Sequence, residues 1–170
     1  MCSDTRLKEF TDFALVMRSR LRQQAFSLCG DWQEADDLAQ ETLVTLYRRW
    51  PKLDRHARLD GYVNAVLLRR FLSVRRHLRW RREVFYADPP AQPQRRDNDV
   101  VELRLSLVAE LKRLPPRQRA VIVLRFWHDL SIEQVAAAMN TSPGTVASQC
   151  HKALITLRGN LADHRPVLNG

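Results

Sequence analysis

Apolar residues recur along this chain at the spacing of helix faces. Phe10, Phe13, Ala14, Met17 and Leu21 fall at i, i+3, i+4, i+7 and i+11, one stripe of an amphipathic helix. Asp31 can cap a second helix, with Glu34 three residues on to reach back as a capping box. Leu43, Leu46, Tyr47 and Trp50 form its apolar face, and Pro51 stops it. A third helix is expected over about residues 61–82, with Val63, Val66, Leu67, Phe71, Val74 and Leu78 inward.

The pattern then lapses. Residues 83–101 hold Pro89, Pro90, Pro93, Gln92 and Gln94 among mixed charges, with few large apolar side chains after Tyr86. Such a stretch buries too little surface to offset its ordering entropy, so it reads as a flexible linker. Helical spacing resumes with Leu103, Leu107, Leu111 and Leu114, ended by Pro115 and Pro116. A helix from about Arg117 to His128 follows, with Pro116 suited to its first turn. Ser131 opens the next, with Gln134 completing a capping box and Ile132, Val135, Ala136 and Met139 inward. Ser142 and Pro143 are an N-cap and a first-turn proline for a last helix that buries Val146, Cys150, Ala153, Leu154 and Leu157. With only five glycines and almost no alternating β-branched runs, the expected fold is all-α: two small helical domains joined by a flexible linker.

Two helices joined by a three- or four-residue turn fit a helix-turn-helix. Ala136 is small where the helices must cross, Asn140 tolerates the left-handed conformation of the turn, and Val146 anchors the second helix inward. Opposite the buried stripe, Thr145, Ser148, Gln149 and Lys152 offer hydroxyl, amide and ammonium groups suited to base edges and phosphates. Ser142 heads a helix whose free N–H groups favour a phosphate. An ordinary helical hairpin with a solvated polar face is the plainer alternative.

Charge sharpens this picture. The chain has 170 residues, and its 28 Lys and Arg exceed its 19 Asp and Glu, for a formal charge of +9, which favours a polyanion partner. Between residues 61 and 82 stand Arg69, Arg70, Arg75, Arg76, Arg79, Arg81 and Arg82 with no carboxylate among them. Arginine forks grip phosphate, and Trp80 offers a platform for an unpaired base. Residues 1–60 are balanced, and there Asp36, Asp37 and Glu41 cluster with Glu34 near the start of the second helix. They either favour the positive helix end or present a protein-docking surface that would repel DNA.

No apolar segment approaches a membrane span, and no signal peptide is expected at the N-terminus. Cys2, Cys29 and Cys150 are scattered and odd in number, which argues against disulfides and zinc and for a reducing cytoplasm. His56, His77, His128, His151 and His164 are dispersed, with no nucleophile–base pair and no glycine-rich phosphate loop. An enzyme is not expected, and neither is a cofactor or metal.

With these parts placed, the chain resembles an alternative sigma factor of the sigma-70 family, the extracytoplasmic-function type (group IV). Asp31-Trp-Gln-Glu-Ala-Asp-Asp-Leu-Ala-Gln-Glu-Thr42 resembles the family's region 2 polymerase-binding segment. Leu114-Pro-Pro-Arg-Gln-Arg-Ala120, Asp129-Leu-Ser131 and Ser142-Pro-Gly-Thr-Val146 resemble region 4. The resemblance implies a region 2-like domain over 1–82, a flexible linker over 83–101, a region 4-like domain over 102–160 and a tail over 161–170. It implies that Asp36, Asp37, Gln40 and Glu41 contact the clamp helices of core RNA polymerase. Residues 50–60 and the arginine helix (Arg69, Arg70, Arg75, Arg76, Arg79, Trp80) would capture the promoter −10 element. The face from Ser142 through Thr145, Ser148 and Gln149 to Lys152 would read the −35 element. An inhibitory anti-sigma partner also belongs to the family's repertoire. Arg69 stands where many members carry Asn, and Ala147 where they usually carry Lys, so the family's promoter code does not carry over at those positions. The competing function is a helix-turn-helix regulator that never binds core polymerase.

Overall fold

A computed structural model describes residues 2–53, 59–84 and 99–163. Its regular structure there is helical throughout: α1 (Cys2–Cys29), α2 (Trp32–Arg49), a 3-10 turn (Trp50–Lys52), α3 (Leu59–Val84), α4 (Asp99–Arg113), α5 (Pro116–Ile122), a π-helical segment (Val123–Trp127), α6 (Ile132–Met139) and α7 (Pro143–Asp163). The chain divides into two compact units, one holding α1, α2 and α3 as far as Ser73, the other holding α4, α5 and α7.

In the first unit α1 ends at Gly30, whose φ of 71° is open to glycine without a Cβ penalty. Its N–H donates to the Phe26 carbonyl at 2.7 Å, closing the helix, and the Asp31 carboxylate accepts from Glu34 N–H at 2.8 Å, opening α2. Two residues therefore reverse the chain into an antiparallel pair of helices. Phe26 stacks on Trp32 at the closed end, while Phe10 and Phe13 pack on Trp50 at 5.1 and 4.9 Å at the open end. The Arg20–Asp60 pair (3.3 Å) ties α3 to α1. Leu21, Leu28, Leu38, Leu46, Val63, Leu68 and Phe71 are buried, as the helical spacing requires. Leu78, expected inward, is 40% exposed, since it lies beyond Ser73, where this compact unit ends.

In the second unit the buried Arg119 donates to the carbonyls of Lys112 (2.9 Å) and Leu114 (3.2 Å), satisfying acceptors that the end of α4 leaves open. Leu111 and Leu114 are buried as expected, but Val108 rather than Leu107 completes the inward face of α4, and Leu107 is 38% exposed. The single helix expected over residues 117–128 is not continuous. After Ile122 the backbone widens, and His128 N–H reaches back five residues to the Val123 carbonyl at 3.1 Å. Asp129 then turns the chain at a φ of 51°, while Leu130 N–H donates to Leu124 O at 3.0 Å and the Arg125 guanidinium donates to the Leu130 carbonyl. Residues 85–98, the middle of the expected linker, and 164–170 lie outside the described residues.

Asp129 holds a left-handed conformation that costs an L residue about 1–2 kcal/mol, while glycine there adds about 0.5–1 kcal/mol of unfolded-state entropy. Asp129→Gly is therefore expected to stabilise the protein by about 0.5 kcal/mol, seen as a raised thermal midpoint. A lowered midpoint would mean that the carboxylate itself holds the turn.

Candidate nucleic-acid and protein interfaces

The α6–α7 turn is built from local bonds. Ser131 N–H donates to Gln134 Oε1 at 2.8 Å and Gln134 N–H to Ser131 Oγ at 3.2 Å, so both halves of the capping box form. The Glu133 carboxyl beside it is held below the usual carboxylate range by its own backbone N–H and then by the Ser131 hydroxyl. At the other end Asn140 takes a φ of 50°, and Thr141 N–H donates to Ala136 O at 3.0 Å, a Schellman closure. Ser142 Oγ then accepts from Thr145 N–H at 3.1 Å with Pro143 at the first helical position. Ala136 and Val146 are buried at the crossing, as their sizes predict.

This framework sets the exposed face of α7. Ser142, Thr145, Ser148 and Lys152 are exposed, but Gln149 is half-buried at the edge. The Thr145 hydroxyl is engaged with Ser142 Oγ at 2.8 Å, so it serves the cap as well as the face. The outward stripe is rotated toward Ala147, Ser148, His151, Lys152 and Ile155, all exposed. His151 and Ile155 escape a reading that starts from polar residues. Counting outward from the fully buried Val146 and Ala153 would have found them.

On α3 the arginines separate into two kinds. Arg69 and Arg76 are exposed at i and i+7 with the exposed Ser73 between them, a row suited to phosphates. Arg70 and Arg75 are half-buried. The side chains of Arg79 and Trp80 lie outside the described residues, as does 54–58 of the expected −10 segment. Trp50, at the start of that segment, is taken into the aromatic cluster with Phe10 and Phe13.

On α2 Asp37, Gln40 and Glu41 are exposed at i, i+3 and i+4 and share one face. Asp36 turns toward α1 and accepts from Arg22 Nε at 2.6 Å, with the Arg22 guanidinium over Trp32. Glu34 is the acidic residue of the first turn. The helix dipole fades beyond that turn, so it does not account for Asp37 and Glu41.

Models of known families match both halves: sigma-70 region 2 over residues 15–81 and sigma-70 region 4 over residues 104–157. The RNA polymerase sigma-E factor of Streptomyces coelicolor is 36% identical over 157 residues, spanning 90% of this chain and 86% of that protein. The chain belongs to the sigma-70 family of RNA polymerase sigma factors. Its relatives include the ECF RNA polymerase sigma factor SigW of Bacillus subtilis, 25% identical, with 91% of this chain and 89% of that protein covered. Among solved structures, the sigma factor RpoE of Bartonella quintana, in complex with the anti-sigma factor NepR, matches with a TM-score of 0.69 at 25% identity. That match covers 91% of this chain and 98% of the other. This sigma factor is thus of the extracytoplasmic-function type, with the all-α, two-region fold expected of it.

If the exposed ammonium of Lys152 neutralises a phosphate, Lys152→Ala should lower the slope of log affinity against log salt for duplex DNA by about 0.9. Fluorescence anisotropy across a salt series measures this, and an unchanged slope would remove Lys152 from the phosphate contacts.

Proposed function

We propose that this sigma factor grips core RNA polymerase and a promoter at two elements, directing initiation as an alternative sigma factor. The row Asp37, Gln40 and Glu41 on α2, with Asp36 at its edge, docks on the polymerase. The arginine helix α3, through Arg69, Arg70, Arg75, Arg76, Arg79 and Trp80, holds the −10 element. The α7 face, from Ser142 and Thr145 through Ser148 and Gln149 to Lys152, reads the −35 element. The assigned spans are 1–82 for polymerase and −10 contacts, 83–101 for the linker, 102–160 for −35 contacts and 161–170 for the tail.

The observation that carries this reading is the exposed acidic row on α2, set beyond the reach of the helix dipole beside a helix otherwise built for phosphate. A DNA reader alone gains nothing from carboxylates that repel its ligand. The role is regulatory and not catalytic, and its place is the cytoplasm, where polymerase and template meet. Among the described residues no helix is long and apolar enough to cross a membrane. An anti-sigma protein, such as the one bound to the Bartonella sigma factor, is a further partner.

Asp37→Arg tests the assignment. Holoenzyme assembly with core polymerase, followed by native gel or size exclusion, is expected to be lost while circular dichroism and the thermal midpoint stay as in the parent. Assembly unchanged by the reversal would favour a helix-turn-helix regulator that works without polymerase.

A further inference from the structure

One contact joins the acidic row of α2 to the arginine helix α3. Glu41 Oε2 lies 3.7 Å from the Arg70 Nη1, and Arg70 Nη2 donates to Thr45 Oγ1 at 3.3 Å. The Thr45 hydroxyl gives its own proton to the Glu41 carbonyl at 2.9 Å, which leaves its lone pairs for the guanidinium. Arg70 is thereby turned from the phosphate-facing row and held against α2, while its neighbour Arg69 stays exposed. Both side chains of the pair remain about half exposed, 43% for Arg70 and 51% for Glu41, so each is open to a competing partner.

We propose that the Glu41–Arg70 pair is a built-in competitor that withholds Arg70 from DNA until polymerase engages Glu41. The inference rests on the sigma-factor reading of both faces. A polymerase cation that takes the Glu41 carboxylate frees a guanidinium beside Arg69, adding one phosphate contact where the row already stands. Because coupling between sites is reciprocal, DNA that captures Arg70 also frees Glu41 for polymerase. The pair is exposed, so its effect is modest and sensitive to salt. Such a contact raises DNA affinity chiefly in the holoenzyme and lowers stray binding by the free chain.

The test uses the full chain, core polymerase and a short fluorescent single-stranded DNA, comparing the parent with Glu41→Gln, Arg70→Gln and the double variant. Glu41→Gln is expected to bind the DNA about two- to fivefold more tightly without polymerase, the worth of an exposed ion pair. Its salt slope should steepen by about 0.7, one added single-strand phosphate contact. The double variant should lose both gains. The increase in DNA affinity on adding polymerase should also be smaller for Glu41→Gln than for the parent. Thr45→Val, which removes the second acceptor and keeps the charge, should show a lesser gain of the same sign and serves if Glu41→Gln fails to fold by circular dichroism. Glu41→Gln no tighter than the parent, or a gain that survives Arg70→Gln, would overturn the proposal. Assembly of the parent with polymerase is scored separately, so its failure would sink the sigma-factor reading while the polymerase-free comparison still judges the ion pair.

Discussion

Seven arginines crowd α3 between residues 61 and 82 with no carboxylate among them, and the helix must survive their repulsion. It does so by burial. Val63, Val66, Leu67, Leu68 and Phe71 are all buried, each worth about 1.5–3 kcal/mol if fully withdrawn from water. Like-charge neighbours on a helix surface cost only about 0.2–0.5 kcal/mol per pair. The inner face therefore wins easily, and the outer face can stay cationic at little cost to the fold. Among the described residues Arg70 is held by a carboxylate of a neighbouring helix, Glu41. Arg69 and Arg76 face solvent, and phosphate is the natural complement.

Much of the scaffold was legible because its signals are local. A cap, a proline and a left-handed residue each act within one turn of chain, so Asp31, the Ser131–Gln134 box, Ser142 with Pro143, and Asn140 could be read directly and all behave as their chemistry requires. What escaped depends on distant packing. The π-helical segment Val123–Trp127 has no helical-period signature, and the left-handed Asp129 follows from it where a glycine would have announced a turn. Side-chain registers were less secure than helices. Adjacent residues stand about 100° apart on a helix, so the edges of a face are set by packing: Leu107 falls outside, and on α7 Gln149 is half-buried while His151 is exposed.

The same distinction governs the candidate sites. Residue types and spacing placed an acidic row on α2 and an arginine row on α3, but not the pairing between them. Asp36 is engaged by Arg22 and Glu41 by Arg70, while Asp37 is exposed on the same row. On α7 the exposed Ala147, Ser148, His151 and Ile155 give a smaller and more apolar surface to the proposed DNA face than a lysine at 147 would. Such a face depends on shape and methyl contacts as well as on charge.

In the proposed function one chain reads two promoter elements on behalf of polymerase. Run-off transcription with core polymerase over a randomised promoter library, followed by sequencing of the transcribed templates, tests it most directly. Two short conserved blocks at one fixed spacing, recovered only when this chain is added, are the expected result. A single block, enriched equally with and without polymerase in a binding selection and yielding no transcript, would contradict it.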